Sequence, residues 1–354
     1  QKMLENEKLF SHRMKLVNLI LDRQSLGNYF FIDGYTKYFI EANKRRESVI
    51  VGFDKSYWVK MIVEDPEGFY STYGDIAFVS APTEFARGTK PEVFPEIAYQ
   101  GKELLRAFQR GDAKLSEISH YQDVAKILAI RALFGSQELD WRDMKFYVNP
   151  ITLKLELIGR EVHTEKKNKK PSSTWWTIDP YKSSRESKAI VDLLSNDIPF
   201  LKSYLKALDN YSNPIYLKNF LQLYRSELLA IEKNMKKFDQ IQDYEKRLFS
   251  NAAYIRRQIS PVHQLTIHRF TKDTEYLNNS TNIELLISNI GKFPVHLKCI
   301  SRYNDFNLCP SKEEQILFPK NGEIQKIKFL IDPKYNQTNL SNQLPINDNN
   351  LTLK

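Results

Sequence analysis

Residues 119–163 read SHYQDVAKILAIRALFGSQELDWRDMKFYVNPITLKLELIGREVH, and their pattern decides the fold. Val124, Ile127, Leu128 and Phe134, flanked by Ile130 and Leu133, recur at helical spacing with a broad apolar face. Lys145 to Val148 and Leu153 to Ile158 then read as two strands joined by a turn at Asn149-Pro150. Between helix and hairpin lies a loop, Ser136 to Asp143, that carries Gln137, Glu138, Asp140 and Asp143; Arg160, Glu161 and His163 follow the second strand. A helix, an acidic loop and a hairpin in this order bring the loop and the hairpin end into one neighbourhood, the best place in the chain for a site.

Working outward toward the N-terminus, residues 3 to 13 have helical character, and Lys15 to Asp22 (KLVNLILD) reads as a buried strand. Ser25 to Asn28 supplies a turn, and Tyr29 to Ile32 returns as an antiparallel strand ending at Asp33. Tyr35, Tyr38, Phe39 and Ala42 predict a helix over 35–43, closed by the basic cluster Lys44, Arg45, Arg46, and Val49 to Phe53 is a further short strand. Asp54 to Gly101 is rich in aromatics and interrupted by turn signals, which suits short strands and loops covering a cleft; a helix begins at Lys102 and runs to Phe108.

Toward the C-terminus, Glu165 to Arg185 breaks periodicity and carries Trp175 and Trp176, either folding back over an exposed lysine loop or stacking on a ligand. Helices are predicted at 188–194, 199–208, 215–237 as one long element, and 244–257. From Gln264 the period becomes two, as in Leu265 and Ile267, Ile283, Leu285 and Ile287, then Ile327 and Phe329, indicating an antiparallel sandwich with its boundary near Ser260-Pro261. The Asn-rich tail reads as loosely ordered.

Composition bounds the function. With 354 residues the chain can bury a full core, and a formal charge of +9 favours an anionic partner without choosing among nucleotide, lipid, polymer and nucleic acid. No run approaches about 18 apolar residues, so no membrane-spanning segment is expected. The opening QKMLENEKLF has no signal-peptide pattern, and its start without Met suggests a trimmed chain. Cys299 and Cys309 are the only cysteines, a disulfide or two buried thiols, and too few for a zinc cluster. The six histidines form no HExxH, and neither a GxSxG elbow nor a GxxxxGK[ST] loop occurs. No nucleic-acid-binding motif accompanies the charge, so no specific nucleic acid is expected as a partner.

The core stretch FGSQELDWRDMKFYVNPITLKLELIG resembles the catalytic segment of the CotH-like spore-coat kinase family, an atypical protein-kinase-like group. Residues 26–47, LGNYFFIDGYTKYFIEANKRRE, are similar to that family's strand ending in a carboxylate and helix ending in a basic pair. The resemblance spans roughly residues 10 to 257. It implies ATP-dependent phosphorylation of protein Ser or Thr hydroxyls, with a divalent metal, in a cleft between a small and a large lobe. Carried over residue by residue, the catalytic-base position falls on Gln137. The metal-holding Asn position falls on Asp143, and the metal-holding Asp position after the hairpin on Glu161. Asp33, Arg45 and Arg46 fall on the cofactor side, Asp33 standing where the family usually has Glu. The phosphate-gripping lysine of the small lobe has no counterpart that can be placed.

These departures matter chemically. Phosphoryl transfer depends on charge neutralisation and positioning more than on a strong base. Asp143 and Glu161 are hard oxygen donors suited to Mg²⁺. Gln137 cannot accept a proton at neutral pH, so Glu138 or Asp140 would have to stand in. Without the resemblance, Asp140 and Asp143 read equally well as hairpin caps paired to Arg142 or Lys145.

The expected architecture is therefore α+β, a two-lobed atypical kinase-like fold with a C-terminal antiparallel β-sandwich. A small β-rich lobe covers 1–100, a mainly helical large lobe with the central hairpin 101–260, the sandwich 261–335 and the tail 336–354. The expected function is that of a degenerate or altered phosphotransferase using Mg²⁺ and ATP, acting mainly through contact with a protein or an anionic surface polymer. An active Ser/Thr kinase and a purely structural binding protein are the alternatives. A bacterial cell surface, spore coat or secreted address is expected, with the cytoplasm as runner-up.

Overall fold

The computed structural model describes residues 1–53, 82–84, 94–135, 144–160, 190, 192–234, 244–260, 265–270, 282–290, 295–298, 300–302, 306–310, 315–317, 324–331 and 352–353. It is a mixed α+β chain with several small sheets, dividing into two compact units, Gln1–Arg256 and Arg257–Lys354.

The first unit is built on a four-stranded antiparallel sheet in the order β4-β3-β5-β6, with β3 Ile50–Phe53, β4 Pro82–Glu84, β5 Lys145–Val148 and β6 Leu155–Leu157. Every residue of β3, β5 and β6 is buried, as in a sheet covered on both faces. On one face a helix presses in over 95–110. It starts at Pro95, whose missing N–H suits the first helical turn, and stops at Gly111 in the left-handed region at φ 78°. A Cβ added at Gly101 of this helix would stand 2.4 Å from a methyl of Val148, so glycine is what lets helix backbone meet sheet. On the other face Phe10, Phe39, Ile40, Ile50, Tyr147 and Ile158 form one cluster.

The central helix is Tyr121–Leu133, where the apolar spacing predicted one. Its buried set, Val124, Ala125, Ile127, Leu128, Ala129, Ile130, Ala132 and Leu133, wraps around the cylinder, so it is a core helix rather than a surface one. The helix Ile198–Tyr211 packs on it, capped by the fully buried Asp197, whose carboxylate accepts from the N–H groups of Phe200 (3.2 Å) and Ser116 (2.7 Å).

Several elements differ from the sequence expectation. The N-terminal helix is only Lys2–Asn6, because Lys8 enters the left-handed region at φ 55° and the chain then runs past Gly159, whose N–H donates to the Phe10 carbonyl at 2.7 Å. Glu7 in this segment accepts from the hydroxyls of Tyr211 (2.9 Å) and Tyr216 (2.8 Å). The hairpin β1 Met14–Leu21 and β2 Gln24–Ile32 turns at Asp22 and Arg23, both with positive φ, rather than at Ser25 to Asn28. Gly27, at φ 95°, takes up a register shift there instead. This hairpin is a two-stranded sheet and largely exposed, not the buried strand expected over 15–22. The helix expected over 215–237 is broken at Tyr224 into Pro214–Leu223 and Arg225–Asn234, and Tyr244–Ile259 follows.

The second unit holds a six-stranded sheet in the order β14-β10-β11-β13-β8-β7 and a two-stranded one, β12-β9. Its strands are β7 Leu265–Phe270, β8 Asn282–Asn289, β9 Val295–Leu297, β10 Ile300–Arg302, β11 Phe306–Pro310, β12 Gln315–Leu317, β13 Gln325–Ile331 and β14 Thr352–Leu353. The period-two pattern buries Leu285, Ile287, Ile327 and Phe329, and Leu297 and Leu317 bring both sheets into that core. Thr352–Leu353, in a tail that reads as loosely ordered, pairs antiparallel with Ile300 and Ser301. Cys309 is disulfide-bonded, the first of the two alternatives left open by the sequence.

Candidate functional site

The site that the described residues support lies on the face of the four-stranded sheet that carries Tyr147. Strand alternation puts Lys145 and Tyr147 of β5 on one side, and the register sets Gly52 against Lys145, Ile50 against Tyr147 and Tyr147 against Glu156. Polar groups thus gather on this one face of the hairpin.

Arg45 is the hub. The helix Lys37–Ala42, capped by Thr36 Oγ1 on the Phe39 N–H, ends where Lys44 turns left-handed at φ 58°, and Arg45 is thrown back over the hairpin. Its Nε donates to Glu156 Oε2 at 2.9 Å, its Nη1 to the Asn43 carbonyl at 2.8 Å, and its guanidinium lies 5.5 Å from the Phe10 ring centroid. Glu156, a carboxylate only 7% exposed, is satisfied on its other oxygen by Asn149 Nδ2 at 2.8 Å. Asn149 also holds the turn, its Oδ1 accepting from the N–H groups of Ile151 and Thr152. A buried carboxylate with a charge partner and a second donor meets the condition under which such a group persists in low dielectric.

The neighbouring residues of the basic run do different work. Arg46 supplies its carbonyl to the Tyr147 hydroxyl at 2.7 Å, and Glu47 accepts from Lys37 at 2.9 Å. Burial, reinforced by the Glu156 charge, raises the Tyr147 phenol above the ordinary tyrosine value, so it remains a hydrogen-bond donor here. Asp33 stands at the other end of an aromatic relay: Phe10 stacks on Phe39 at 5.1 Å, Phe39 on His12 at 4.7 Å, and His12 Nδ1 lies 2.6 Å from the Asp33 carbonyl. A carbonyl can only accept, so Nδ1 carries the proton. The Asp33 carboxylate pairs with Arg13 at 2.6 Å.

Of the expected site residues, Arg45 and Arg46 meet the hairpin at Glu156 and Tyr147, whereas Asp33 lies at the far end of the Phe10–Phe39–His12 relay with its carboxylate on Arg13. Gln137, Glu138, Asp140, Asp143, Glu161 and the Trp175-Trp176 pair lie outside the described residues. Among the described residues no group of three or more His, Cys, Asp or Glu could hold a metal ion, and no helix is long and apolar enough to cross a membrane. Sequence reasoning missed Glu156 and Lys145. The signal for Glu156 was present in KLEL, where one carboxylate interrupts an apolar strand at the position that alternation turns away from Leu155 and Leu157. No protein-family model matches the chain, and no curated protein matches it.

Proposed function

We propose that this chain is a CotH-like, two-lobed kinase-fold protein followed by a β-sandwich, and that it is a degenerate or altered Mg²⁺- and ATP-dependent phosphotransferase acting mainly on or through a protein or surface polymer. The observation that carries this reading is the Arg45–Glu156 clasp. It joins the basic-pair segment to the hairpin across 111 residues, so the two stretches that carry the family resemblance meet in one structure.

The chemistry follows from what each group is free to do. Arg45 is engaged by Glu156, so its charge first neutralises the hairpin, and a phosphate would have to compete with a carboxylate for it. Asp143 and Glu161 are the hard donors for Mg²⁺ in this reading, and the metal would screen charge on the transferring phosphoryl group. Gln137 supplies a hydrogen-bonding amide and no base. This combination favours an altered site over an ordinary kinase centre. The disulfide at Cys309 fits a surface, coat or secreted address, since such bonds persist in oxidising compartments.

The test is thermal stability of the purified chain with Mg²⁺ and ATP. A ligand at 100 times its Kd stabilises the native state by about 2.7 kcal/mol, seen as a melting shift of several degrees. Asp143→Ala and Glu161→Ala should abolish that shift. If the parent chain shows none with any divalent metal, the phosphotransferase reading falls and the structural binding protein takes its place, a reading favoured by the exposed apolar surface of β1 and β2.

A further inference from the structure

The hairpin β1-β2 carries an open apolar face. Alternation sets Val17, Leu19 and Leu21 of β1 on one side of the ladder, and the register places Tyr29 and Phe31 of β2 on the same side, opposite Val17 and Lys15. These five apolar side chains keep 37%, 42%, 60%, 48% and 57% of their surface. The reverse side also shows Ile20 and Phe30, but its Met14 and Leu16 are half-buried, so packing within the chain has begun there. At their exposures the five present roughly 500 Å² of apolar surface, enough to mark an interaction surface. Two such faces closed on each other would bury roughly 1,000 Å², where specific interfaces begin.

The relief and charge of this face select its occupant. Gly27 stands opposite Leu19, and a Cβ added to it would meet nothing within 4 Å, so the face has a hollow beside Tyr29. Lys15 lies at the base of the face and Asp22 at the tip, both exposed, and among the described residues neither is held in an ion pair. We propose that the occupant is a second copy of this chain: two hairpins stack through this face about a twofold axis, with their tips pointing in opposite directions. Each β1 then runs antiparallel over the other β1, and each β2 over the other β2. Tyr29 of each chain enters the hollow at Gly27 of the other, Val17 meets Leu19, and Lys15 reaches the tip that carries Asp22. Tips pointing the same way would instead bring Lys15 close to Lys15 and Asp22 close to Asp22, so the charges choose the opposed arrangement. The same patch is used on both chains, and the association therefore closes at two. This inference stands apart from the phosphotransferase reading and survives its failure.

The experiment is sedimentation equilibrium of the full chain from low micromolar to a few hundred micromolar, on the parent, Tyr29→Asp, Lys15→Asp, Asp22→Lys and the double variant Lys15→Asp with Asp22→Lys. The parent should pass from one chain mass to two and no further, with a micromolar dissociation constant. Tyr29→Asp should stay at one chain mass across the range. Lys15→Asp and Asp22→Lys should each weaken the dimer about fivefold, and the double variant, which reverses both ends, should return to within about twofold of the parent. A parent that remains a single chain throughout overturns the inference, and its co-flotation with phosphatidylglycerol vesicles would assign the face to a lipid surface instead. Growth beyond two chains, or a dimer that Tyr29→Asp leaves intact, overturns it as well. Should Tyr29→Asp lack the circular-dichroism spectrum of the parent, the charge series decides: single variants that dimerise like the parent, or a double variant that fails to recover, sink the proposal.

Discussion

Two antiparallel β regions of the first unit, the hairpin β1-β2 and the sheet β4-β3-β5-β6, are similarly rich in apolar residues and end in opposite environments. Ile50, Val51, Phe146, Val148 and Leu155 are fully buried, whereas Ile20, Leu21 and Phe31 keep 62%, 60% and 57% of their surface. KLVNLILD and IVGF are both dominated by apolar residues. What separates them is partners: the sheet has a helix on one face and the Phe10–Phe39 cluster on the other, while the hairpin is a ladder of two strands. Apolar content makes a strand, and only packing makes it a core strand.

The largest effect separating these regions should come from truncating one aromatic in each. Phe146→Ala opens a cavity in a fully buried site and should lower unfolding free energy by about 3–5 kcal/mol, read from the urea midpoint. Phe31→Ala on the hairpin should change it by no more than about 0.5 kcal/mol. Similar losses in the two would mean that the hairpin packs as tightly as the sheet.

A middle-sized effect tests whether the sheet's polar face resists substitution as its apolar residues do. Glu156→Gln removes the charge from the carboxylate that holds Arg45 and should cost about 1.5–3 kcal/mol. Replacing both partners, as Arg45→Met with Glu156→Leu, should recover part of the loss, because a buried ion pair contributes less than its rupture removes. No recovery would assign the pair a role beyond mutual neutralisation.

The smallest effect is a pH dependence. Tyr147 and Tyr211 are both raised above the ordinary tyrosine value, chiefly by burial, with Glu156 and Glu7 respectively adding to the shift. A raised folded value means that their stability contribution is complete below the unfolded value near 10 and is lost as pH climbs past it. At pH 10 the unfolded chain already ionises these phenols by half, so each should forfeit about 0.4 kcal/mol. Urea midpoints at pH 8 and pH 10 check this, and Tyr147→Phe should remove one share of the difference.

The parts of the fold legible in the sequence are those set by local periodicity. The spacing predicts Lys145 to Val148 as a strand, which β5 matches, and the central helix and the alternation of Leu285, Ile287, Ile327 and Phe329 are equally plain. What was not legible lacks a composition signal. The turn at Asp22 and Arg23 uses two positive φ values without glycine, Lys8 ends the first helix without glycine or proline, and Tyr224 divides a continuous helical pattern. The site splits the same way. The basic run holding Arg45 is visible in the sequence, but the Arg45–Glu156 pairing spans 111 residues and depends on where two separate elements come to rest.

The tether from Glu7 to Tyr211 and Tyr216 sets a timetable for synthesis. Its bonds span 204 and 209 residues, and Met3, Leu4, Leu9 and Phe10 around it are buried in the finished fold. At roughly 5–20 residues per second a ribosome needs roughly 10–40 s between delivering Glu7 and delivering its two phenols. Throughout that interval Glu7 lacks both phenols, so a nascent chain arrested before residue 211 should leave this segment more open to chaperones and proteases than the finished fold does.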